Sequence, residues 1–352
     1  MVQKVFLSQK LSQFVSIIIM GLLFVSCNSQ DLENTPQPSM SIHEFPRLDC
    51  STSTQPLSVI LTAKVLGLPY KWWQDQAVTQ VWYVSIDWDK TSLTVSQRGL
   101  LEKKLNCSTT HGSYVNLLDN KVDLIITSRE ISRGEQVYAT SKGVKLISRP
   151  IGKDGFAFIV NKDSPITSLT VKQIQDIYTG KVLNWKEVGG NDQEIHPYIR
   201  NANSGSQEKM EMMVMKGLTI VGKPGMQTGT MAGPFYEIRR DVNGIAYTPF
   251  YYYNIMMREQ DYAKIIGVEG IHPNKETINS GAYPFVSEIY ASIRSDVPHD
   301  SYTYKLFEYL TQSGAQSIVE ESGYVPLSST TGVRSNETKN QAICRGVLQF
   351  LE

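Results

Sequence analysis

The segment Gly155-Phe-Ala-Phe-Ile-Val160 is an unbroken apolar run, and Val171-Lys-Gln-Ile-Gln-Asp-Ile-Tyr178 follows it after a short connection. The first run predicts a buried strand because its length and its apolar residues suit a strand that is covered on both faces. In the second run, apolar residues recur every three or four positions and fall on one face of a helix. A buried strand that leads into an amphipathic helix is typical of an α/β protein.

The same alternation continues on both sides of this segment. Residues 122–127 read as another buried strand, and residues 306–319 carry a second helical apolar stripe. Residues 70–105 hold most of the tryptophans, and Trp82, Val84, Ile86 and Trp88 within them alternate as on a half-buried strand. We expect these tryptophans to pack in a core rather than to form a stacking platform for a sugar or a base.

Composition describes a globular chain with no dominant charge. The chain has 352 residues, of which 41% are hydrophobic and 19% are charged, so it is long enough to bury one large core or two linked lobes. The 34 basic and 34 acidic residues cancel, which argues against a nucleic-acid-binding surface or a polybasic membrane patch. Any anion site must therefore be local.

The N-terminus has the pattern of an export signal. Lys4 and Lys10 precede an apolar run over residues 14–26 that is too short to span a bilayer but suits a signal peptide. The run ends at Cys27 and resembles a bacterial lipoprotein signal, with Cys27 as the lipidated residue, although Phe24 stands where a small aliphatic residue is usual. We expect residues 1–26 to be removed, residues 27–45 to form a lipidated tether, and the body to be exported and anchored to a bacterial membrane, facing the periplasm or the cell exterior. An uncleaved anchor is the alternative.

The remaining cysteines do not suggest a metal site. Cys50, Cys107 and Cys344 are an odd number without CxxC spacing, and no paired histidine ligands accompany them. We predict that they are small buried residues or free thiols. One disulfide stays open for an exported chain, but the sequence does not indicate which pair would form it.

A second informative segment is Arg200-Asn-Ala-Asn-Ser-Gly-Ser206, directly before an amphipathic helix predicted over residues 207–216. Its serines suit a helix cap, and its glycine allows backbone N–H groups to approach a ligand closely. The arginine adds a permanent forked cation. These parts suit a metal-free site for phosphate or sulfate, and the alternative is a serine-rich cap beside an ordinary surface arginine.

Five segments, taken in order, resemble a known family. They are residues 154–161, residues 169–190 with a "GK…NW" turn and a "GG" loop, and the runs 243–247, 280–284 and 322–327. Together they resemble the phosphate-binding family of type II periplasmic substrate-binding proteins, the receptors of ABC phosphate importers. The similarity runs over about residues 46 to 327.

The resemblance implies a two-lobed α/β fold with a hinge of crossing strands. Residues 46–153 would form the first part of lobe 1, residues 154–250 would form lobe 2, and residues 251–352 would return to lobe 1 and end in a tail. The implied function is capture of inorganic phosphate for an ABC permease by a tethered monomer. No chemistry on the ligand is implied, so no cofactor, metal or enzyme activity is expected.

The resemblance also assigns ligand contacts to four loops. The matched positions are Thr54 and Gln55 in the first loop, Thr110 and Ser113 in the second, Ser128 and Arg129 in the third, and Arg200, Ser204, Gly205 and Ser206 in the fourth. Arg129 would either face the anion or pair with Glu130 or another acid. His111, in the second loop, is more often a structural residue in such a position than a ligand contact.

Two positions depart from the family pattern. Ser128 stands where many phosphate receptors have an aspartate that accepts a proton from phosphate and repels sulfate, so the simplest basis for selectivity is missing. Cys50 replaces a frequent glycine in the first loop. A surface lipoprotein that binds another oxyanion such as sulfate, or that serves as an interaction or sensing module, is therefore the second hypothesis.

Enzyme motifs are present only in fragments. Residues 206–209 read SxxK and residues 114–116 read YxN, but their order is the reverse of that in penicillin-interactive serine enzymes and no KTG follows. Residues 217–223 resemble a phosphate loop, yet Pro224 replaces the metal-binding Ser/Thr and the segment follows a helix. We therefore predict a binding protein.

Overall fold

A computed structural model describes residues 37–75, 80–202, 204–223 and 225–327. The predicted signal peptide, Cys27, the first part of the tether, Cys344 and the C-terminal tail lie outside these residues. Within the described part of the chain, no helix is both long enough and apolar enough to cross a membrane.

The secondary structure alternates as the sequence predicts. The strands are β1 (Leu48–Cys50), β2 (Tyr70–Gln74), β3 (Trp82–Ile86), β4 (Leu124–Thr127), β5 (Leu146–Asn161), β6 (Ser168–Leu169), β7 (His196–Pro197), β8 (Ile199–Arg200), β9 (Gln227–Thr228), β10 (Gly244–Pro249), β11 (Ala263–Val268) and β12 (Val286–Arg294). The α-helices are α1 (Gln55–Leu66), α2 (Val95–Lys104), α3 (Thr110–Leu118), α4 (Arg133–Ser141), α5 (Val171–Tyr178), α6 (Gly205–Lys209), α7 (Gly233–Arg240), α8 (Lys275–Asn279), α9 (Tyr302–Leu310) and α10 (Ser313–Glu321). Short 3-10 turns occupy Thr52–Thr54, Trp88–Lys90 and Trp185–Val188, and π-helical turns occupy Met210–Met215 and Tyr252–Met256.

Local sequence signals explain where several helices begin and end. Thr94, Ser132 and Thr170 cap α2, α4 and α5, and each forms a reciprocal capping box with the side chain three residues later. Pro56 lies in the first turn of α1, and Gly67 ends that helix in the left-handed conformation with φ of 64°. These helix boundaries follow from residues that are near in sequence.

The main sheet has eight strands in the order β1-β4-β12-β5-β10-β7, and β11 joins β5 and β6 beside this path. β1 and β4 are parallel, whereas β12 is antiparallel to both β4 and β5. The strands predicted at residues 122–127 and 155–160 are confirmed as β4 and the second half of β5. Smaller two-stranded sheets pair β2 with β3 and β8 with β9.

The long strand β5 connects two hydrophobic cores. Its first half pairs with β12, and its second half pairs with β10 and β11. Ile151 belongs to the first core, whereas Phe156 and Phe158 belong to the second. A strand that passes from one core to the other, with β12 beside it, is the crossing-strand connection expected between two lobes.

The helices cover these cores with the faces that their periodicity predicts. Ile174, Ile177 and Tyr178 of α5 are buried in the second core, and the stripe of α9 and α10 packs in the first. Phe235 and Ile238 of α7 also lie in the first core. Core membership therefore interleaves along the chain, and the lobe boundaries after residues 153 and 250 stay predictions.

The tryptophan-rich segment forms the hairpin β2–β3 and the turn that follows it. Trp72 and Trp88 pack partly against the first core, in line with the core-packing prediction. Trp88 lies in a 3-10 turn and not on the predicted strand, which ends at Ile86. Trp73 is 45% exposed and stacks on Tyr83, so it is the member of this group that faces solvent.

Candidate anion-binding site

Arg200 is held from several sides at the end of β8. Its backbone N–H donates to Tyr247 Oη at 2.9 Å and to Gln207 Oε1 at 3.1 Å. Its Nε donates to the carbonyl oxygen of Thr228 at 3.3 Å, across the parallel pair β8–β9. The side chain is only 6% exposed, so the structure fixes a guanidinium inside the protein.

Among the residues that the structure describes, Arg200 has no acidic partner, unlike Arg129, another arginine that is equally buried. Arg129 pairs with Glu135 and Glu208, whereas Arg200 has no carboxylate within ion-pair distance among the described residues. Burial lowers the pKa of Arg200, which shows that its surroundings disfavour the charged form. A buried cation without a partner is costly to the fold, so an anionic ligand would remove that cost.

Next to this arginine, α6 begins at Gly205 and continues through a π-helical turn to Met215. This element corresponds to the helix predicted over residues 207–216. Ser204 is the N-cap, and its Oγ accepts the N–H of Gln207 at 3.1 Å. The cap and the first-turn amides therefore stand beside Arg200, at the positive end of the helix.

Gly205 is a position that tolerates no side chain. A Cβ atom built on it would lie 2.8 Å from Thr110 Oγ1 and 3.4 Å from Ser128 Oγ. Thr110 begins α3 and Ser128 follows β4, so loops distant in sequence meet α6 at its first residue. This close approach requires the glycine that the sequence analysis singled out.

These elements surround a cavity of about 300 Å³. Most of its wall is made of hydroxyl-bearing or small residues, with one cation. The lining residues are Thr52, Ser53, Thr109, Thr110, Arg200, Asn201, Ser204, Gly205, Ser206, Gly229, Thr230 and Met231. No carboxylate is among them, so the wall offers neutral donors and one positive charge to a ligand.

The arrangement suits an anion better than a metal ion. Hydroxyl groups replace part of the hydration shell of a buried anion, and Arg200 offsets its charge. Within the described ranges, no group of three or more His, Cys, Asp or Glu side chains could hold a metal. The cavity can therefore hold an oxyanion through protein donors alone.

The structure places part of the predicted contact set at this cavity. Thr110, Arg200, Ser204, Gly205 and Ser206 all line it. They come from the second and fourth predicted loops, which meet here although about ninety positions separate them in the sequence. Their common location supports a shared site, and their roles as ligand contacts stay predictions.

The two contacts predicted in the first loop are the hydroxyl of Thr54 and the backbone amide of Gln55, and their roles as ligand contacts stay predictions. Thr54 is fully buried, and its Oγ1 donates to the carbonyl oxygen of Ile126 at 2.7 Å. The side chain of Gln55 turns away from the cavity, with its Nε2 donating to the carbonyl oxygen of Val84 at 3.2 Å. Thr52 and Ser53 line the cavity instead, because the 3-10 turn before α1 rotates Thr54 towards β4.

Ser113 and Ser128 also lie outside the cavity wall. Ser113 is one turn into α3 and buried, and its Oγ donates to the carbonyl oxygen of Thr109 at 3.2 Å. Thr109, which caps α3 by accepting the N–H of Gly112 at 3.1 Å, occupies the wall position. Ser128 packs behind Gly205 and is buried without lining the cavity.

Arg129 takes the second of the two roles considered for it, pairing with acids. Its Nη1 and Nη2 donate to the carboxylate of Glu135 at 2.9 and 2.8 Å, and its Nε donates to Glu208 at 2.5 Å. Burial alone would lower the pKa of Arg129, but the two carboxylates outweigh that effect and raise it. Glu130 contributes only its backbone carbonyl oxygen, at 2.7 Å from Nη1. Arg129 is therefore paired with two acids, and its role as a ligand contact stays a prediction.

His111 is also removed from the cavity. Its Nδ1 lies 3.1 Å from Glu135 Oε1, on the solvent side of the same acid that binds Arg129. The side chain is 54% exposed. This agrees with the structural role that the sequence analysis favoured.

Sequence reasoning missed the wall segment 229–231, between β9 and α7. Gly229, Thr230 and Met231 line the cavity beside Arg200, and Met231 Sδ lies 3.5 Å from Arg200 Nη1. The available signal was the run Thr228-Gly-Thr-Met-Ala-Gly-Pro234. Small and hydroxyl residues followed by proline at a helix start have the same character as the segment at 200–206.

Comparison with known proteins assigns the chain to a family. A family model described as a PBP superfamily domain matches residues 108–312, which is more than half of the chain. The chain belongs to the PBP superfamily. As a member of this superfamily it is a substrate-binding protein and not an enzyme, as predicted from the sequence. The match includes the loops at Thr110 and Arg200 and begins after the loop at Thr52.

Individual relatives of this PBP-superfamily chain are distant. It is 25% identical over 224 residues to the phosphate-binding protein PstS of Staphylococcus epidermidis, covering 61% of this chain and 67% of that protein. It is 26% identical over 226 residues to the phosphate-binding protein PstS of Borreliella burgdorferi, covering 61% and 76%.

Solved structures match the fold over most of the chain. A putative phosphate ABC transporter substrate-binding protein with bound phosphate from Clostridium perfringens aligns with a TM-score of 0.57 and 20% identity, covering 80% of this chain and 98% of that one. An ABC-type phosphate transport receptor from Vibrio cholerae aligns with a TM-score of 0.55 and 21% identity, covering 79% and 98%. The predicted fold, a two-lobed α/β protein of the type II periplasmic-binding-protein class, is confirmed.

Proposed function

We propose that this protein is an extracytoplasmic lipoprotein receptor that captures inorganic phosphate between its two lobes for an ABC importer. The observation that carries the proposal is the buried guanidinium of Arg200, which lacks an acidic partner among the described residues and lines a cavity without carboxylates. The names of the relatives agree with it, since the staphylococcal and borrelial proteins are phosphate-binding proteins.

Capture requires binding and closure, without chemistry on the ligand. The anion would exchange its water shell for the hydroxyls of the wall and the first-turn amides of α6, while Arg200 supplies the counter-charge. The contact of Gly205 with Thr110 brings α6 against the start of α3, so both walls would enclose a bound anion. The closed form would expose a different protein surface from the open form, and a permease could recognise that surface.

Export, anchoring and partners belong to the proposal as well. The signal pattern of residues 1–26 and Cys27 supports a lipid anchor on a bacterial membrane, with residues 28–45 as the tether. The ABC permease is inferred from the transporter receptors that share the fold. The proposal includes a tethered monomer, as the family resemblance implies.

A specific observation favours a second candidate, a receptor-fold lipoprotein for another oxyanion such as sulfate. The cavity wall holds no carboxylate that could accept a proton from phosphate, and Ser128 occupies the position of the usual aspartate. A neighbouring cavity of about 460 Å³ shares Thr52, Thr230 and Met231 with the first, so there is also room for a larger oxyanion. An interaction or sensing role without transport would remain if no oxyanion binds.

Calorimetric titration of the body, residues 36–352, tests these alternatives. The described residues of this part belong to one compact unit. After any copurified ligand has been removed, the protein is titrated with phosphate and then with sulfate. Phosphate binding without a sulfate response supports the phosphate receptor, and binding of sulfate at comparable affinity favours the second candidate. Binding of neither anion would overturn the oxyanion-receptor proposal and leave the interaction role.

A further inference from the structure

Cys50 and Cys107 lie side by side in the structure. Parallel bridges pair Leu48 with Leu105 and Ser51 with Ser108, and the same offset along both segments pairs Cys50 with Cys107. Both thiols are free, and each is close enough to the other to change its pKa. Directly opposed residues of adjacent extended segments have the short Cα separation that a disulfide requires.

The backbone around the two thiols is already held in this register. The carboxylate of Asp49 accepts the N–H of Ser108 at 3.0 Å and the hydroxyl of Ser108 at 3.0 Å. The same carboxylate accepts a hydrogen bond from Asn116 Nδ2 at 2.8 Å. Little movement of the chain would therefore be needed to join the sulfurs.

Each thiol lies two positions before a wall segment of the candidate anion site. Thr52 and Ser53 follow Cys50, and Thr109 and Thr110 follow Cys107. Cys107 itself lines the neighbouring larger cavity. A covalent link at this place would join the first and second loops of the site.

We propose that Cys50 and Cys107 form an intramolecular disulfide in an oxidising compartment. The inference rests on the proposed function only for export, because disulfides persist in exported proteins and are rare in the cytosol. It does not depend on which anion the cavity binds.

The reaction requires an external disulfide as oxidant. The Cys107 thiolate attacks one sulfur of that disulfide, and a mixed disulfide forms while one thiolate leaves. Cys50 then loses its proton and attacks the Cys107 sulfur, and the second thiolate leaves. Two protein thiols are oxidised, one external disulfide is reduced, and the two protons end on the released thiols.

The environments of the two thiols suit this order. Cys107 is exposed, and its contact with Cys50 holds the pKa of its thiol below the usual value, so it is the better attacking group. Cys50 is buried, and the contact with Cys107 together with burial raises the pKa of its thiol. A buried partner that an external disulfide does not reach directly is suited to the second step.

The link would change the behaviour of the site. It closes the long chain segment that contains α1, the β2–β3 hairpin and α2, which restricts the unfolded chain. It would also hold the loops at Thr52 and Thr109 together while the contact with α6 stays free to open and close.

Peptide mapping of the full chain with oxidised glutathione as the oxidant tests the proposal. Free thiols are alkylated without prior reduction, and the digest is compared with that of a sample reduced beforehand. A linked peptide pair that contains Cys50 and Cys107 supports the proposal. Both cysteines recovered alkylated after oxidation, or either one joined to Cys344, would overturn it.

Thermal unfolding of variants provides a second readout. Oxidation should raise the Tm of the wild-type protein by about 5 °C or more. Cys107→Ser changes an exposed residue and should abolish this rise, whereas Cys344→Ser, the matched control, should retain it. An equal rise in the Cys107→Ser protein would overturn the proposal. A phosphate titration on the same oxidised sample separates the two ideas, since a linked protein that binds no phosphate contradicts only the proposed function.

Discussion

At the scale of single residues, the contrast between Arg129 and Arg200 carries the functional argument. Both guanidinium groups are buried to the same degree, yet only Arg129 has carboxylate partners among the described residues. Since unpaired buried charge is costly, the difference supports the proposed role of Arg200 as the counter-charge of a bound anion.

Arg200→Ala should weaken phosphate binding by more than about 2 kcal/mol, roughly thirtyfold in Kd, because a buried anion loses its main counter-charge. Calorimetric titration measures the change. Arg149→Ala is the matched control, since Arg149 pairs with Glu308 at 2.7 Å outside the cavity. Unchanged binding in the Arg200 variant would remove this residue from the site.

Gly205→Ala should also reduce phosphate affinity, by about tenfold or more. The new Cβ would lie 2.8 Å from Thr110 Oγ1, so α6 and α3 could no longer approach as they do. Gly134→Ala is the control, because no atom lies within 4 Å of a Cβ built there. If both variants bind phosphate with the affinity of the wild-type protein, the contact between α6 and α3 plays no part in binding.

A buried carboxylate in β5 predicts a pH dependence of stability. Burial raises the pKa of Asp154 to about 6, although the charge of Lys209 partly opposes this shift. In the unfolded chain the pKa of this aspartate is about 4. Between about pH 4 and pH 6, the native state therefore binds the proton of Asp154 more tightly than the unfolded chain does. The contribution of this group to stability is therefore most favourable at and below pH 4, and it declines as the pH rises to 6.

Asp154→Asn should remove this dependence. Relative to the variant, the wild-type protein should lose on the order of 2 kcal/mol of unfolding free energy between pH 4 and pH 6. Urea unfolding of both proteins across this range measures the difference. A constant difference at all pH values would show that Asp154 titrates as it does in the unfolded chain.

At the scale of elements, the ion pair between Arg129 and Glu208 connects the loop after β4 to α6. Glu208 lies in the first turn of α6, next to the cap that adjoins the cavity, and Arg129 is held in turn by Glu135 of α4. The connection therefore favours the arrangement in which α6 closes on α3, even without a ligand.

Glu208→Gln should shift the ligand-free protein towards an open form. Because the amide cannot replace the ionic partner of Arg129, the radius of gyration from small-angle scattering should rise, and saturating phosphate should reverse the rise. Glu102→Gln, which disturbs the exposed pair with Arg98, is the control. Equal scattering of variant and wild type without ligand would mean that this pair does not hold the lobes closed.

Element boundaries were largely predictable, whereas the directions of the side chains in the first site loop were not. The α5 face and the start of α6 follow from apolar spacing and from Thr170 and Ser204 as caps. In the first loop, a 3-10 turn precedes α1 and directs the side chain of Thr54 inward. Nothing in the local residue pattern specifies that extra turn.

At the scale of the whole molecule, a ligand that binds between the lobes should stabilise the fold by mass action. Phosphate at about a hundred times its Kd should add about 2.7 kcal/mol, which raises the Tm by several degrees. Scanning calorimetry of the wild-type and Arg200→Ala proteins measures this effect. A shift of equal size in both proteins would place the anion elsewhere.

The sequence by itself determined the alternation of strands and helices and the positions of the helix caps. It also determined the segment at Arg200 that suits an anion and the resemblance to a receptor family. Each of these depends on residues that are close together in the chain, where spacing, capping and turn chemistry act directly. Only the tertiary structure decided that Arg129 is paired with acids, whereas Arg200 has no acidic partner in the described part of the chain. It also decided that Thr52 and Ser53 line the cavity and that Cys50 lies beside Cys107. These outcomes depend on groups that are far apart in sequence, such as Arg129 and Glu208, which 79 positions separate, and only the packing of the folded chain brings them within bonding distance.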